Sequence, residues 1–370
     1  MSRAPVLVLV LALSACANLD TWQGSEDSGP ASSGESPWPT GDLFSFTDAK
    51  FDGRVCGEAE FNISRSVVDM LIVLDRSNSM GKGTPPLWDT CRNTIYDVTS
   101  AMDGNIWFGL FTFPNSLGLA ACGPFMMMAM CLAPSAPVVG VGAGTSGAIK
   151  SALSPMAVCG GTPTADTLVA ANQYLAKLPP NNHSKYVLLV TDGGPTCNDS
   201  LDPAACTCVS PGQCSGNGQN CLDDVATLKA LDDLSASGIK TYVVGLGDAQ
   251  SLTTTLKAMA QHGGTMQPYT PTDPAAIKKA FQDISGAVVT CSFELDCSKI
   301  ENASLVNFYF DGKAVPRDTS HAGGWDWKTK CSGQQGTGVV EFHGADCAAI
   351  KEGSVKTIAG KFGCETIEID

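Results

Sequence analysis

Between about residues 67 and 290 the chain alternates apolar runs of strand length with longer stretches of helical periodicity. Residues 67–74 (Val-Val-Asp-Met-Leu-Ile-Val-Leu) are apolar at every position but one, the pattern of a strand buried on both faces. Residues 105–113, 186–190 and 239–244 repeat that pattern. A shorter strand is expected near 266–269. Helices are expected over about 86–102, 145–156, 164–177, 222–236, 250–261 and 273–286. Strands alternating with helices predict an α/β fold, a mostly parallel sheet flanked by helices. After residue 290 the pattern changes. Short alternating stretches such as 306–310 and 338–342 lie between glycine-rich turns, with helix signal only at about 345–351. Residues 291–370 therefore read as a small, cysteine-rich β domain.

The N-terminus has a different character. Met1-Ser2-Arg3 is a short basic start, and residues 6–13 form an apolar run too short to span a bilayer as a helix. Leu13-Ser14-Ala15-Cys16 closes it. This resembles a bacterial lipoprotein signal, which implies removal of residues 1–15 and lipidation of Cys16. Ala17 after it favours, by the same resemblance, the outer membrane and the cell surface. Residues 16–48 are rich in Ser, Gly, Pro, Asp and Glu and bury too little apolar surface to offset the entropy of ordering. They read as a flexible tether, with 49–66 as a lead-in to the folded part. The membrane is thus expected as a partner through the lipid anchor only.

Charge and cysteine content narrow the function. The 370 residues carry a formal net charge of −14, which repels phosphates and argues against nucleic acid as a partner. Sixteen cysteines point to an oxidising compartment and disulfides.

In α/β sheets, ligands sit beyond the carboxyl ends of the strands. The first strand ends in Asp75-Arg76-Ser77-Asn78-Ser79, and the 186–190 strand runs into Thr191-Asp192-Gly193-Gly194. Between them, Gly160-Gly161-Thr162-Pro163-Thr164 leads into a helix. Two carboxylates and three hydroxyls are hard oxygen donors that suit Mg²⁺, with Mn²⁺ or Ca²⁺ as alternatives, rather than a soft metal. Five such groups carry only two formal charges, so a bound divalent ion remains electrophilic toward an incoming carboxylate.

Here the sequence resembles the von Willebrand factor A domain over about 67–290. Asp75, Ser77 and Ser79 match its Asp-x-Ser-x-Ser motif, Thr162 its threonine and Asp192 its later aspartate. The resemblance implies a metal-ion-dependent adhesion site, in which an acidic side chain on a protein partner completes the metal's coordination. The segments 339–351 and 360–364 resemble the tail of cysteine-rich A-domain lipoproteins of myxobacteria and related bacteria.

Removing Cys16 leaves fifteen cysteines, an odd number that implies a free thiol, an intermolecular pair or an intact Cys16. Cys197, Cys206, Cys208, Cys214 and Cys221 crowd an insertion over 197–221, directly after Asp192. Three readings stand for it: a stapled surface loop, a rigid recognition loop that selects the partner, or a zinc knot. Cys291, Cys297, Cys331, Cys347 and Cys364 are expected to staple the tail.

Other signals point elsewhere. Gly142-Ala-Gly144-Thr-Ser-Gly147 matches G-x-G-x-x-G after an apolar run, but the acid at the spacing of a dinucleotide site, Asp166, falls in an expected helix rather than at the end of a second strand, so no nucleotide cofactor is expected. Met126-Met-Met-Ala-Met130 reads as apolar filler before it reads as a copper site. His183, His262, His321 and His343 are dispersed, and there is no G-x-S-x-G elbow. The chain reads as a binding protein of the cell envelope, not an enzyme. Two other classes stay open, a structural envelope protein with an idle metal site and a metal-dependent hydrolase.

Overall fold

The computed structural model describes residues 61–62, 67–115, 131–181, 183–209, 214, 218–247, 252–363 and 365–368. The expected signal, tether and lipidation residue Cys16, and the methionines at 126–130, lie outside them.

The α/β part is built on a five-stranded sheet. Its strands are β2 (Val68–Asp75), β3 (Ile106–Phe113), β4 (Val139–Gly142), β5 (Ser184–Thr191) and β6 (Lys240–Gly245), in the order β4-β3-β2-β5-β6. Strands β2, β3, β5 and β6 are parallel, whereas β4 runs antiparallel to β3 at one edge. All eight positions of β2 are buried, because a parallel sheet with helices on both faces leaves no polar side.

Helices α1 (Leu87–Met102), α2 (Ser146–Leu153) and α6 (Pro274–Val288) cover one face, where Met70, Ile72 and Leu74 meet Ile95, Ile149 and Phe281. Helices α3 (Thr164–Ala176), α4 (Asp224–Ala236) and α5 (Thr253–His262) cover the other, where Leu71 and Val73 meet Leu168, Leu231 and Met259. The side chains of β2 thus alternate between two apolar clusters. Helix α1 buries Trp88, Cys91, Ile95, Val98 and Met102, a stripe at three- and four-residue spacing. Helix α6 starts where Asp273 accepts a hydrogen bond from the Ala276 N–H at 2.9 Å, with Pro274 in its first turn.

Two antiparallel sheets follow. One is β10 (Trp325–Thr329), β11 (Thr337–Phe342) and β7 (Ser292–Asp296). The other has the order β1 (Phe61–Asn62), β12 (Ile358–Phe362), β8 (Val306–Phe310) and β9 (Lys313–Val315). Strand β1 pairs with β12 almost 300 residues later (Phe61 opposite Gly360), so the lead-in to the α/β part joins the C-terminal sheet. Helix α7 (Gly344–Lys351) caps this region. Phe293, Phe308, Trp325 and Phe342 belong to the same apolar cluster as Met70 and Phe281. The Asn105 side chain donates to the Ile350 carbonyl at 3.1 Å. Among the described residues, no helix is long and apolar enough to cross a membrane.

The structure differs from the sequence reading in two places. Strand β4 was not anticipated, because Val-Gly-Val-Gly carries two residues poor in strand propensity. It fits only because β3 also presents a glycine. A Cβ on Gly109 would lie 2.6 Å from Val141 Cγ2 and 2.9 Å from the Val141 backbone nitrogen. Gly109→Ala is expected to destabilise the chain by about 1–3 kcal/mol through overpacking, read as a lower urea midpoint at unchanged slope. The strand expected near 266–269 is reduced to a single bridge between Val244 and Tyr269.

Candidate metal centre

The carboxyl ends of β2 and β5 lie side by side, and their loops make one rim. Asp75 is the last residue of β2 and is fully buried; Ser77 and Asp192 are 2% and 8% exposed. The Asp75 carboxylate accepts from the Ser77 N–H at 2.7 Å through Oδ1 and from the Thr191 hydroxyl at 2.6 Å through Oδ2. The Ser77 and Ser79 hydroxyls are 3.0 Å apart, and Ser79 donates to Asp192 Oδ1 at 2.7 Å. Residues 78–81 form a single 3-10 turn. It lifts Ser79 back toward β5, so alternate residues of one loop converge on the neighbouring strand's loop.

Thr162 joins through the backbone. The Asn78 N–H donates to the Gly160 carbonyl at 3.1 Å and the Cys159 N–H to the Arg76 carbonyl at 2.7 Å, stitching the 159–162 loop to the first loop. The Thr196 N–H donates to the Thr162 carbonyl at 2.9 Å, and the Thr162 N–H donates to Thr196 Oγ1 at 3.1 Å. Asp75, Ser77, Ser79, Thr162 and Asp192, far apart in sequence, therefore share one connected rim.

Burial and the neighbouring Asp192 carboxylate push the Asp75 carboxyl up from 3.8 to about 7, against the lowering effect of the bonds from Thr191 and Ser77. A carboxylate held this far from water beside a second one is a poor resting state for a protein without a cation. The donors are all oxygen and include two acids and two hydroxyls in mutual reach, which fits a hard divalent ion. Beneath them Cys91 of α1 is a buried free thiol, pushed well up by burial and by the Asp75 charge. A free thiol was one of the readings of the odd cysteine count.

The sequence reading passed over three residues here. Thr191, to which the sequence assigns no role, is the last residue of β5; its hydroxyl holds Asp75 and its Oγ1 also accepts from the Gly193 N–H at 3.2 Å. Thr196 carries the link to Thr162. Arg76 is fully buried, and its guanidinium donates to Cys159 Sγ at 3.1 Å.

The insertion stands beside this rim. Cys131 is bonded to Cys197, Cys206 to Cys221 and Cys208 to Cys214. The sulfurs of Cys206, Cys214 and Cys221 lie within 4.8 Å of one another, but each is taken by a disulfide and offers no thiolate to zinc. In the tail, Cys291 pairs with Cys347 and Cys297 with Cys331. The histidines lie elsewhere. His183 bonds Asp69 at the opposite end of β2, His262 bonds Asp232, and His321 stacks on His343 in the C-terminal part.

The pilus adhesin SpaC of Lactobacillus rhamnosus GG, in its open conformation, is 17% identical with a TM-score of 0.46, and the match covers 81% of this chain and 39% of that one. This chain thus spans less than half the length of that adhesin. The vWF domain of the type V pili tip protein Mfa5 of Porphyromonas gingivalis is 13% identical with a TM-score of 0.42, covering 60% of this chain and 94% of that one. The conserved hypothetical protein BatB of Bacteroides thetaiotaomicron is 15% identical with a TM-score of 0.39, covering 59% and 97%. No curated protein matches the sequence. The profile of the von Willebrand factor type A domain matches residues 69–283, more than half of the 370 residues and all but the first residue of the sheet that carries the rim. The chain belongs to the von Willebrand factor type A domain family.

Proposed function

We propose that this protein binds a protein partner through a divalent ion held by Asp75, Ser77, Ser79, Thr162 and Asp192, with an acidic side chain of the partner completing the coordination. The observation that carries the reading is the buried Asp75 carboxylate, destabilised by burial and by Asp192 and ringed by hydroxyls. A divalent cation relieves that repulsion, and domains of this family commonly bind one at a metal-ion-dependent adhesion site. Mg²⁺ is the first choice, because it keeps exchangeable waters among six oxygen ligands; Mn²⁺ and Ca²⁺ take the same donors. Asp75 and Asp192 would supply the charge, and the hydroxyls of Ser77, Ser79 and Thr162 would add neutral oxygen donors.

We read the protein as a binder rather than an enzyme. The groups around Asp75 are acids and hydroxyls, and the histidines that would serve as bases are bonded at other places. We place it at the bacterial cell envelope, exported and lipid-anchored through Cys16, with residues 16–48 as tether, 67–290 as the metal-bearing domain and 291–370 as the tail. The insertion over 197–221 fits a recognition loop beside the rim, since Cys131–Cys197 ties it to the α/β part and Cys206–Cys221 and Cys208–Cys214 staple it internally.

Titration of the chain with Mn²⁺ tests the reading. One saturable site is expected, with water-proton relaxation that falls when acetate is added and stays when an uncharged amide is added instead. Absence of saturable Mn²⁺ binding by the folded chain, or indifference to acetate, would overturn it.

A further inference from the structure

The loop that carries Thr162 is held on its upstream side by Cys159, which is disulfide-bonded and whose N–H donates to the Arg76 carbonyl at 2.7 Å, and on its downstream side by Thr196. Thr196 and Thr162 exchange two hydrogen bonds: the Thr196 N–H donates to the Thr162 carbonyl at 2.9 Å, and the Thr162 N–H donates to Thr196 Oγ1 at 3.1 Å. Thr162 is 7% exposed, so its N–H would be left poorly solvated if the Thr196 oxygen were lost, and an unpaired N–H in such a place is costly. The residue after Thr196 is Cys197, whose φ of +76° lies in the left-handed region that a non-glycine residue seldom adopts. Two constraints hold it there. Its N–H donates to the Gln219 carbonyl at 2.8 Å, and its sulfur is bonded to Cys131. The residue after Cys131 is itself tied down, because the Leu132 carbonyl accepts from the Asn115 N–H at 2.7 Å, two residues beyond the end of β3. A continuous path thus runs from the exit of β3 through Leu132, the disulfide and Thr196 to Thr162.

We propose that the Cys131–Cys197 disulfide and Thr196 form a lock that fixes the Thr162 loop, and that this lock sets the affinity of the rim for its divalent ion. The proposal rests on the metal-site reading above. Thr196 is a positioning residue: it acts on the ion through Thr162. Supporting groups behind metal ligands commonly set 10–100-fold of affinity, and a crosslink keeps the strained turn from relaxing when the rim is apo. The sequence brings Thr196 four residues past Asp192, so one stretch of chain both offers a ligand and aligns another.

The experiment compares the full oxidised chain with Thr196→Val, Thr196→Ser and the double variant Cys131→Ser/Cys197→Ser. Each is titrated with Mn²⁺ by calorimetry and followed by Mn²⁺ electron paramagnetic resonance, and amide exchange at Thr162 is read without metal. Thr196→Val and the double serine variant are expected to weaken Mn²⁺ binding about 10–100-fold and to speed Thr162 exchange at least tenfold. Thr196→Ser, which keeps the acceptor oxygen, is expected to stay near wild type in both. Wild-type Mn²⁺ affinity and unchanged Thr162 exchange in the valine and double variants would overturn the lock. Should the wild-type chain bind no Mn²⁺, the metal reading falls, and Thr162 exchange alone then decides whether Thr196 holds the loop. Thr196→Val leaves the disulfide intact, so loss of folding in the cysteine variant does not remove the test.

Discussion

Asp75→Asn is expected to stabilise the metal-free chain while abolishing its divalent-ion binding. Asp75 is fully buried, and burial and Asp192 raise its carboxyl to about 7. At pH 8 in the presence of a chelator the wild-type side chain is therefore held charged in a place that disfavours charge. The amide removes that charge and keeps the local bonds. Its oxygen accepts from the Ser77 N–H, and its NH₂ faces Thr191, whose hydroxyl also lies 3.2 Å from the Gly193 carbonyl and can donate there instead. A raised carboxyl of this kind corresponds to roughly 1–4 kcal/mol, a rise in melting temperature of several degrees for a chain of this size. The same change takes away one of only two anionic ligands, and Mn²⁺ affinity should fall at least about 100-fold, with loss of any partner held through the ion. Thermal melts in EDTA and a Mn²⁺ titration read the two effects separately. A variant that melts lower and still binds Mn²⁺ would show that Asp75 is a structural acid of the loop.

That a stability gain and a functional loss fall on one residue is the mark of a site that the fold accommodates at a cost. It also explains why so much of the rim was visible in the sequence. A strand buried on both faces carries few polar residues, Asp69 being the one within the apolar run of β2, so the change to Asp75-Arg-Ser-Asn-Ser79 marks a strand end, and the change at Asp192 marks another. What the local pattern did not carry was support from afar. Thr191 reads as an ordinary β-branched strand residue, and nothing in its neighbours says that its hydroxyl faces Asp75, 116 residues away. The link from Thr196 to Thr162 depends on the fold of an insertion whose cysteine pairing no spacing determines. Strand β4 hid behind two glycines because its fit depends on Gly109 across the sheet. In the tail, alternation marked β8 and β11, but the pairing of β1 with β12 is a matter of long-range register, which periodicity leaves open.

The pH dependence of stability should differ between the metal-free and the metal-bound chain. In the metal-free chain the folded Asp75 carboxyl, at about 7, lies above its unfolded value of 3.8. Between those limits the native state binds more protons than the unfolded one, so stability falls as pH rises from about 4 to 7 and levels off above. Metal binding requires the deprotonated acid and releases its proton. Affinity for Mn²⁺ should therefore rise about tenfold per pH unit up to about pH 7, roughly 100-fold between pH 5 and 7, and then flatten. With saturating Mn²⁺ the growing contribution of the ion offsets the loss seen in the metal-free chain, because Asp75 is ionised both in the metal-bound and in the unfolded state; the melting temperature should therefore stay level over that window with respect to Asp75, whereas in EDTA it falls. Asp75→Asn should flatten this part of the EDTA profile, since the titrating group is gone. Melting curves from pH 5 to 8 with EDTA and with Mn²⁺, beside calorimetric titrations at each pH, resolve these trends. Parallel EDTA profiles for wild type and Asp75→Asn would mean that Asp75 is ionised at little cost, and the case for a cation at this rim would lose its electrostatic ground.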